Sequence, residues 1–238
     1  MYTSTIMFEL LPIFFPDPKK NNLPLPLYLP YMPSDVPPYW HLNYAAHALI
    51  NALAVCFLIA VDGSMAVSIL SAVYQIRSLK QCLLELDTSA EIQALHRELV
   101  FIVQTHVSAR KYIRQLEKLN AVNLLVIFCF ICLLLCMGMN VIATDIWSPI
   151  WFFLVAALFK LFLLCYFGNR LIIESDTLAD CVYSIDWVSM PLSEQRLVLI
   201  MIANAQPALE MNGIFMPLSM ASFLSIMKAS YSYYTLLH

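Results

Sequence analysis

Hydrophobic and polar positions follow one another along this chain in long blocks. Residues 121–143 carry no charged side chain at all, and residues 42–76 and 150–168 are nearly as apolar, the first interrupted by Asp62 beside Gly63 and the second by Lys160. An α-helix rises ~1.5 Å per residue, so a block of ~20 apolar residues matches the ~30 Å hydrocarbon core of a bilayer. The last block, residues 213–238, is apolar to Met227 apart from small hydroxyl residues, then passes the cation Lys228 and ends through Tyr, Ser and Leu. The pattern predicts an all-α, polytopic membrane helical bundle with transmembrane helices at 42–76, 119–144, 150–168 and 213–238.

Between these blocks, residues 77–118 and 169–212 turn amphipathic and charged, which predicts helices reaching into water. The first region holds Arg77, Lys80, Arg97, Arg110, Lys111, Arg114 and Lys118, seven of the thirteen Lys and Arg residues. Cations gathered at the ends of spans mark the cytoplasmic side. The second region is acidic, and its cytoplasmic side follows from alternation alone. Within it, residues 191–205 read as a helix of about four turns, with Ser193 near its start and Pro207 beyond its end. That helix is too short and polar to span and is expected beneath the final one. Residues 145–149 form a tight outer turn.

Residues 17–41 are rich in proline (DPKKNNLPLPLYLPYMPSDVPPYW over 17–40), which fixes φ and removes donors. They predict an extracellular loop, either a binding or lid element or a passive connector. Residues 1–16 read as the stub of a preceding span. An outer start without a signal peptide leads to the expectation that an N-terminal portion with an odd number of spans precedes Met1, and the C-terminus falls outside the cell.

Two charges inside apolar blocks need partners. Asp62 is expected to face protein or a cavity, or to contact a serine such as Ser64, and Lys160 to contact another helix or a wet cavity. In the last block Ser219, Ser222, Ser225, Ser230, Ser232 and Thr235 recur every three or so residues and favour one side of a helix. Such a side serves either close helix packing, where small hydroxyl residues bond across backbones, or an aqueous pathway.

Composition narrows the class. Of 238 residues 61% are hydrophobic and 12% charged, about half the charge of a soluble domain, and mean hydropathy is +0.74, so the chain is an integral membrane protein. A net charge of -3 argues against a nucleic-acid partner, because no large basic surplus exists to neutralise phosphates. None of the seven cysteines lies in an outer segment, so no extracellular disulfide framework is implied. Cys129, Cys132 and Cys136 share a helical face without His or acid beside them and are expected to be packing residues rather than metal ligands. No nucleophile with its base, no metal-ligand spacing among five histidines and no phosphate-binding glycine loop are present, so neither an enzyme nor a cofactor is expected.

Three stretches then point to a family: residues 165–187 (CYFGNRLIIESDTLADCVYSIDW), 195–206 (QRLVLIMIANAQ) and 215–237 (FMPLSMASFLSIMKASYSYYTLL). With Gly168, Asn169, Glu174 and Ser175, the pair Tyr183 and Trp187, and Phe223, Lys228, Ser230, Tyr231 and Ser232 in order and spacing, the chain resembles insect odorant receptors. The resemblance implies a seven-span olfactory receptor acting as a ligand-gated cation channel, of which this chain matches the last four spans. It implies a heterotetramer of tuned subunits with an obligate odorant co-receptor, set in the lipid of the plasma membrane of olfactory sensory neurons. The final span would line one central pore, with Leu236 at the gate, Tyr233 and Ser232 beside it and His238 at the mouth. Volatile apolar small molecules would enter a pocket walled by Tyr44, His47, Ile127, Trp151 and Phe152, and the regions 77–118 and 169–212 would anchor subunits together. Two other readings stand beside this one: a non-sensing truncated subunit or isoform, and a gustatory receptor. The gustatory signature ends in Thr and Tyr followed by Gln, where this chain has Ser232, Tyr233 and then His238.

Overall fold

The computed structural model describes residues 39–88, 91–144, 150–213 and 215–237. The expected stub at 1–16, most of the proline-rich loop, the turn at 145–149 and His238 lie outside the described residues. The elements are α1 (Tyr39–Leu84), α2 (Ile92–Thr144), α3 (Ile150–Ser184), α4 (Leu192–Ala205), the short strands β1 (Asn212–Gly213) and β2 (Met216–Pro217), and α5 (Met220–Leu237).

The helices do not stop where the composition changes. α1 runs on through the charged residues Arg77 and Lys80, and α2 carries the charged block and the uncharged one in a single rod. No proline or glycine falls between Ser64 and Met137 to break them. The buried stripe also keeps helical period: Met65, Ile69, Ala72, Ile76, Leu79 and Leu83 in α1, and Leu95, Leu99, Ile102, Ala109, Ile113 and Leu116 in α2. α1 ends with the Glu85 N–H on the Gln81 carbonyl at 3.0 Å, and Glu91 accepts the first bonds of α2.

Among the described residues three helices are long and apolar enough to cross a membrane: Leu42–Leu84, Ile92–Val141 and Ile150–Ser184, of 43, 50 and 35 residues. Each exceeds the ~20 residues that a bilayer core takes, so each also extends beyond one. On α2 the exposed residues Val122, Val126, Phe130, Leu133 and Met137 form an apolar row at helical spacing, a surface suited to lipid rather than water.

The final helix begins at Met220, which corrects the expected helix over 213–238. Pro217 has no N–H and cannot continue a helix, but it fits the edge of a two-residue ladder. Gly213 pairs with Met216 and Asn212 with Pro217, and the Leu218 N–H closes the hairpin on the Met211 carbonyl at 2.7 Å. Ser219 then caps α5: its Oγ accepts the Ser222 N–H at 3.2 Å. At 18 residues α5 is ~27 Å long, close to one bilayer core.

The chain divides into two compact units. In the first, Met1–Ser64 with Leu134–Lys160, Gly138 leaves room for Leu154, and the two charges of the apolar blocks meet: Lys160 Nζ lies 2.8 Å from Asp62 Oδ2. The Ser64 hydroxyl donates to the Val61 carbonyl at 2.8 Å. Asn43 and His47, one turn apart near the start of α1, are both buried. The second unit, Met65–Leu133 with Leu161–His238, holds α4, the hairpin and α5.

A paired carboxylate and ammonium in an apolar setting lose more when one partner is removed than when both are. Asp62→Ala or Lys160→Ala alone is therefore expected to lower the yield of folded, surface-expressed chain, and the double substitution to recover most of it. Surface labelling of the four species checks this, and equal losses that simply add would refute the pairing.

Candidate functional site: the C-terminal helix and its supports

Support for α5 starts with α4. The Pro191 carbonyl accepts the N–H groups of Glu194 (2.9 Å) and Gln195 (3.1 Å), and at the far end the Gln206 N–H reaches the Ile202 carbonyl before Pro207 ends the run. The start and end at 191–205 agree with the sequence. Ser193 does not cap the helix, however; its hydroxyl donates to Glu194 Oε1 at 3.0 Å. Glu194 is only 2% exposed, and His96 Nδ1 stands 3.0 and 3.1 Å from its two oxygens, which joins α4 to the first turns of α2.

A second joint gathers at Glu174 on α3. Arg77 Nη2 lies 2.7 Å from Oε1, Lys80 Nζ contacts Oε2, and Arg170 Nη2 is 3.8 Å from Oε1 one turn away. Lys80 Nζ also donates to Thr177 Oγ1 at 3.0 Å. This carboxylate draws the C-terminal ends of α1 and α3 together. The next residue, Ser175, is buried, and its Oγ accepts the Leu209 N–H at 2.8 Å, which tethers the segment leading to the hairpin. Tyr183 and Trp187 meet at the end of α3 with their rings tilted by 54°, centroids 6.3 Å apart.

The third joint is the approach of α3 to the hairpin. A Cβ on Gly168 would overlap the Leu218 carbonyl oxygen and side chain, so only glycine fits. From this point α5 packs through Phe223, edge-on to Phe162 at 5.9 Å, and Ser230, whose Oγ is 3.9 Å from Cys132 Sγ.

The hydroxyl residues of α5 divide between a buried side and an exposed one. Ser219, Ser222, Ile226 and Ser230 are buried and pack against the second unit, with Ser222 Oγ donating to the Pro217 carbonyl. Ser225, Lys228, Ser232 and Thr235 recur at i, i+3, i+7 and i+10, are exposed, and make a polar stripe centred roughly 145° around the helix from the buried one. Both uses of small hydroxyl residues therefore coexist: a packing face and a wettable face. The exposed hydroxyls of Ser225 and Thr235 donate to their own helix, to the carbonyls of Ala221 (2.9 Å) and Ser232 (2.8 Å).

The expected site residues are placed unevenly. Ser232 and Leu236 share the wettable face one turn apart, with Leu236 78% exposed, while Tyr233 is exposed but turned by about 100°. His238 lies outside the described residues. Of the expected pocket walls, Tyr44, His47, Trp151 and Phe152 belong to the first unit, with His47 buried, Tyr44 half-buried and the two aromatics of α3 exposed. Ile127 belongs to the second unit. Asn43, fully buried one turn before His47, escaped the sequence reading, although an amide at helical spacing from a histidine inside an apolar block was a signal for it. Its side-chain amide makes no hydrogen bond among the described residues.

The family model described as 7tm Odorant receptor matches residues 1–231. Odorant receptor 10 of Aedes albopictus is 25% identical over 227 residues, 91% of this chain and 60% of its own length. The odorant receptor coreceptor of Aedes aegypti is 35% identical over 86 residues, 36% of this chain and 18% of that one. Among solved structures, the olfactory receptor OR5 of Machilis hrabei superposes with a TM-score of 0.86 at 16% identity, over 99% of this chain and 62% of that one. The same receptor in complex with eugenol gives 0.83 at 17% identity, over 98% and 62%. The chain thus spans about three fifths of the length of Odorant receptor 10 and of OR5.

Because Gly168 leaves no room for a side chain, Gly168→Val is expected to destabilise by about 1–3 kcal/mol through overpacking. Gly63→Ala, in open space, is expected to be neutral or stabilising by ~0.5–1 kcal/mol. Thermal unfolding in detergent followed by size exclusion compares the two, and equal melting points would remove Gly168 from its role.

Proposed function

We propose that this chain, which belongs to the odorant receptor family, is a subunit of an odorant-gated cation channel that detects volatile apolar molecules together with a co-receptor subunit. The observation that carries this reading is the two-faced final helix. A helix whose exposed side stacks Ser225, Lys228, Ser232 and Thr235 while its other side packs against protein is built to meet water along one stripe. Several such helices around one axis line a conduit. Leu236, on the same face one turn beyond Ser232, supplies a hydrophobic ring that blocks ions by dewetting, and rotating or spreading the ring admits water.

The remaining assignments follow from the same reading. Residues 42–76, 119–144, 150–168 and 220–237 cross the plasma membrane of an olfactory sensory neuron, the C-terminus is outside, and the helices at 77–118 and 169–212 anchor subunits on the cytoplasmic side, where the cations of the first favour it and alternation of the spans places the second. The similarity to coreceptors supports a shared assembly mode. The eugenol complex of the Machilis hrabei receptor supports a small, largely apolar ligand. Its pocket in this chain is walled by Tyr44, His47, Trp151 and Phe152, with Asn43 as the polar group that orients the ligand. An odorant opens the gate only by as much as it binds the open state better.

Co-expression with an odorant co-receptor, against co-receptor alone, tests the reading under a panel of volatiles. New odour-evoked cation current is expected. Leu236→Ala is expected to raise basal current roughly fivefold, the effect of ~1 kcal/mol on a gating equilibrium. No new current from a chain shown at the surface would make it a non-sensing subunit, and unchanged basal and evoked currents in Leu236→Ala would remove the gate from Leu236.

A further inference from the structure

A cavity of about 540 Å³ lies against the charged half of α2, lined by His106, Arg110, Lys111, Arg114 and Lys118 and, from the end of α4, Asn204. The four full cations stand at i, i+1, i+4 and i+8, so they share one side of the helix over ~12 Å. None of the four makes an ion pair among the described residues. Glu117, the carboxylate next to Lys118, is engaged elsewhere, accepting from Asn212 Nδ2 at 3.0 Å. Like charges this close repel, and the cost persists until counter-charge enters the group.

Arg110 adds a directional element. Its Nη1 donates to the Asn204 carbonyl at 2.8 Å and to Asn204 Oδ1 at 3.1 Å, which fixes the guanidinium against the end of α4. Its Nε is buried and has no hydrogen-bond partner among the described residues. A buried N–H on a cation is a costly donor unless an acceptor, best an anionic one, meets it. The cavity therefore combines a volume, a concentration of positive charge and a fixed donor.

We propose that this cavity binds a compact anion carrying several phosphate groups. Two arginine forks suit phosphate bidentately and two lysines add point charges, so a single carboxylate or one phosphate would leave most of the charge uncompensated. The same chemistry has two sources: a phosphoinositide headgroup, since Lys118 adjoins the uncharged block of α2 and basic pockets beside spans take such headgroups, or a soluble inositol polyphosphate. Only the lipid source rests on the membrane placement proposed above. A phosphate on Arg110 would reinforce the tie between α2 and α4.

The test uses the full chain in phosphatidylcholine nanodiscs and labelled inositol hexakisphosphate as probe. Saturable binding is expected, weakened roughly tenfold or more by Lys111→Gln with Arg114→Gln, the loss of two charge-assisted contacts. Arg97→Gln, an exposed cation bonded to its own helix at the Gln93 carbonyl, is expected to bind as the parent does. Size-exclusion profiles matching the parent exclude misfolding of the double variant. Displacement of the probe by phosphatidylinositol bisphosphate in the nanodisc assigns the site to lipid; saturable binding without displacement assigns it to the soluble anion. The proposal is overturned by no saturable binding, by a folded double variant that binds unchanged, or by inorganic phosphate competing at the same concentration as the probe.

Discussion

The last helix takes its place because Gly168 carries no side chain. The α3 backbone there comes against the Leu218 carbonyl, and everything that follows in the chain is set from that contact. The hairpin of Asn212–Gly213 with Met216–Pro217 reverses the chain, Ser219 caps the new helix, and Met220 starts it with its packing face already turned inward. A larger residue at position 168 would displace the hairpin, and with it the angle at which α5 presents Ser225, Lys228, Ser232 and Thr235.

Charge pairing supports this junction from the charged stretches of the helices. Glu174 draws Arg77 and Lys80 of α1 to α3, and Glu194 holds His96 of α2 against α4. Isolated surface pairs contribute little, but each of these carboxylates is largely buried and meets more than one donor, which makes the joint specific as well as favourable. Within the other unit the pair Asp62–Lys160 meets the same need: two charges that apolar surroundings would penalise singly are placed together.

Much of this was legible in the sequence. Uncharged blocks gave the membrane-crossing helices, Pro207 and the polar start gave α4, and the run through Gly168, Glu174 and Ser175 gave the family. Two things were hidden for physical reasons. Helices continued across the boundaries at 76 and 118 because composition changes partner, not backbone geometry, and no glycine or proline stood there to stop them. Conversely, apolarity at 213–219 concealed a hairpin, since hydropathy does not register that Pro217 lacks an N–H. The division of the α5 hydroxyls into two faces could not be read from a spacing of about three, which drifts around a helix of 3.6 residues per turn. The basic cavity was equally invisible: seven cations in one region marked a side of the membrane, whereas the grouping of four of them beside Asn204 depends on tertiary packing.

Cysteine accessibility along α5, in channels assembled with a co-receptor, tests most directly whether its polar stripe faces water. Cysteines are placed one at a time at Ser225, Lys228, Ser232 and Thr235, and at Ser222 and Ile226, and a charged, membrane-impermeant thiol reagent is applied during current recording against the unmodified chain. Modification that alters current at the first four positions and spares the last two is the expected result. Modification at Ser222 and Ile226 instead, or at none of the six in conducting channels, would contradict a pore lined by this helix.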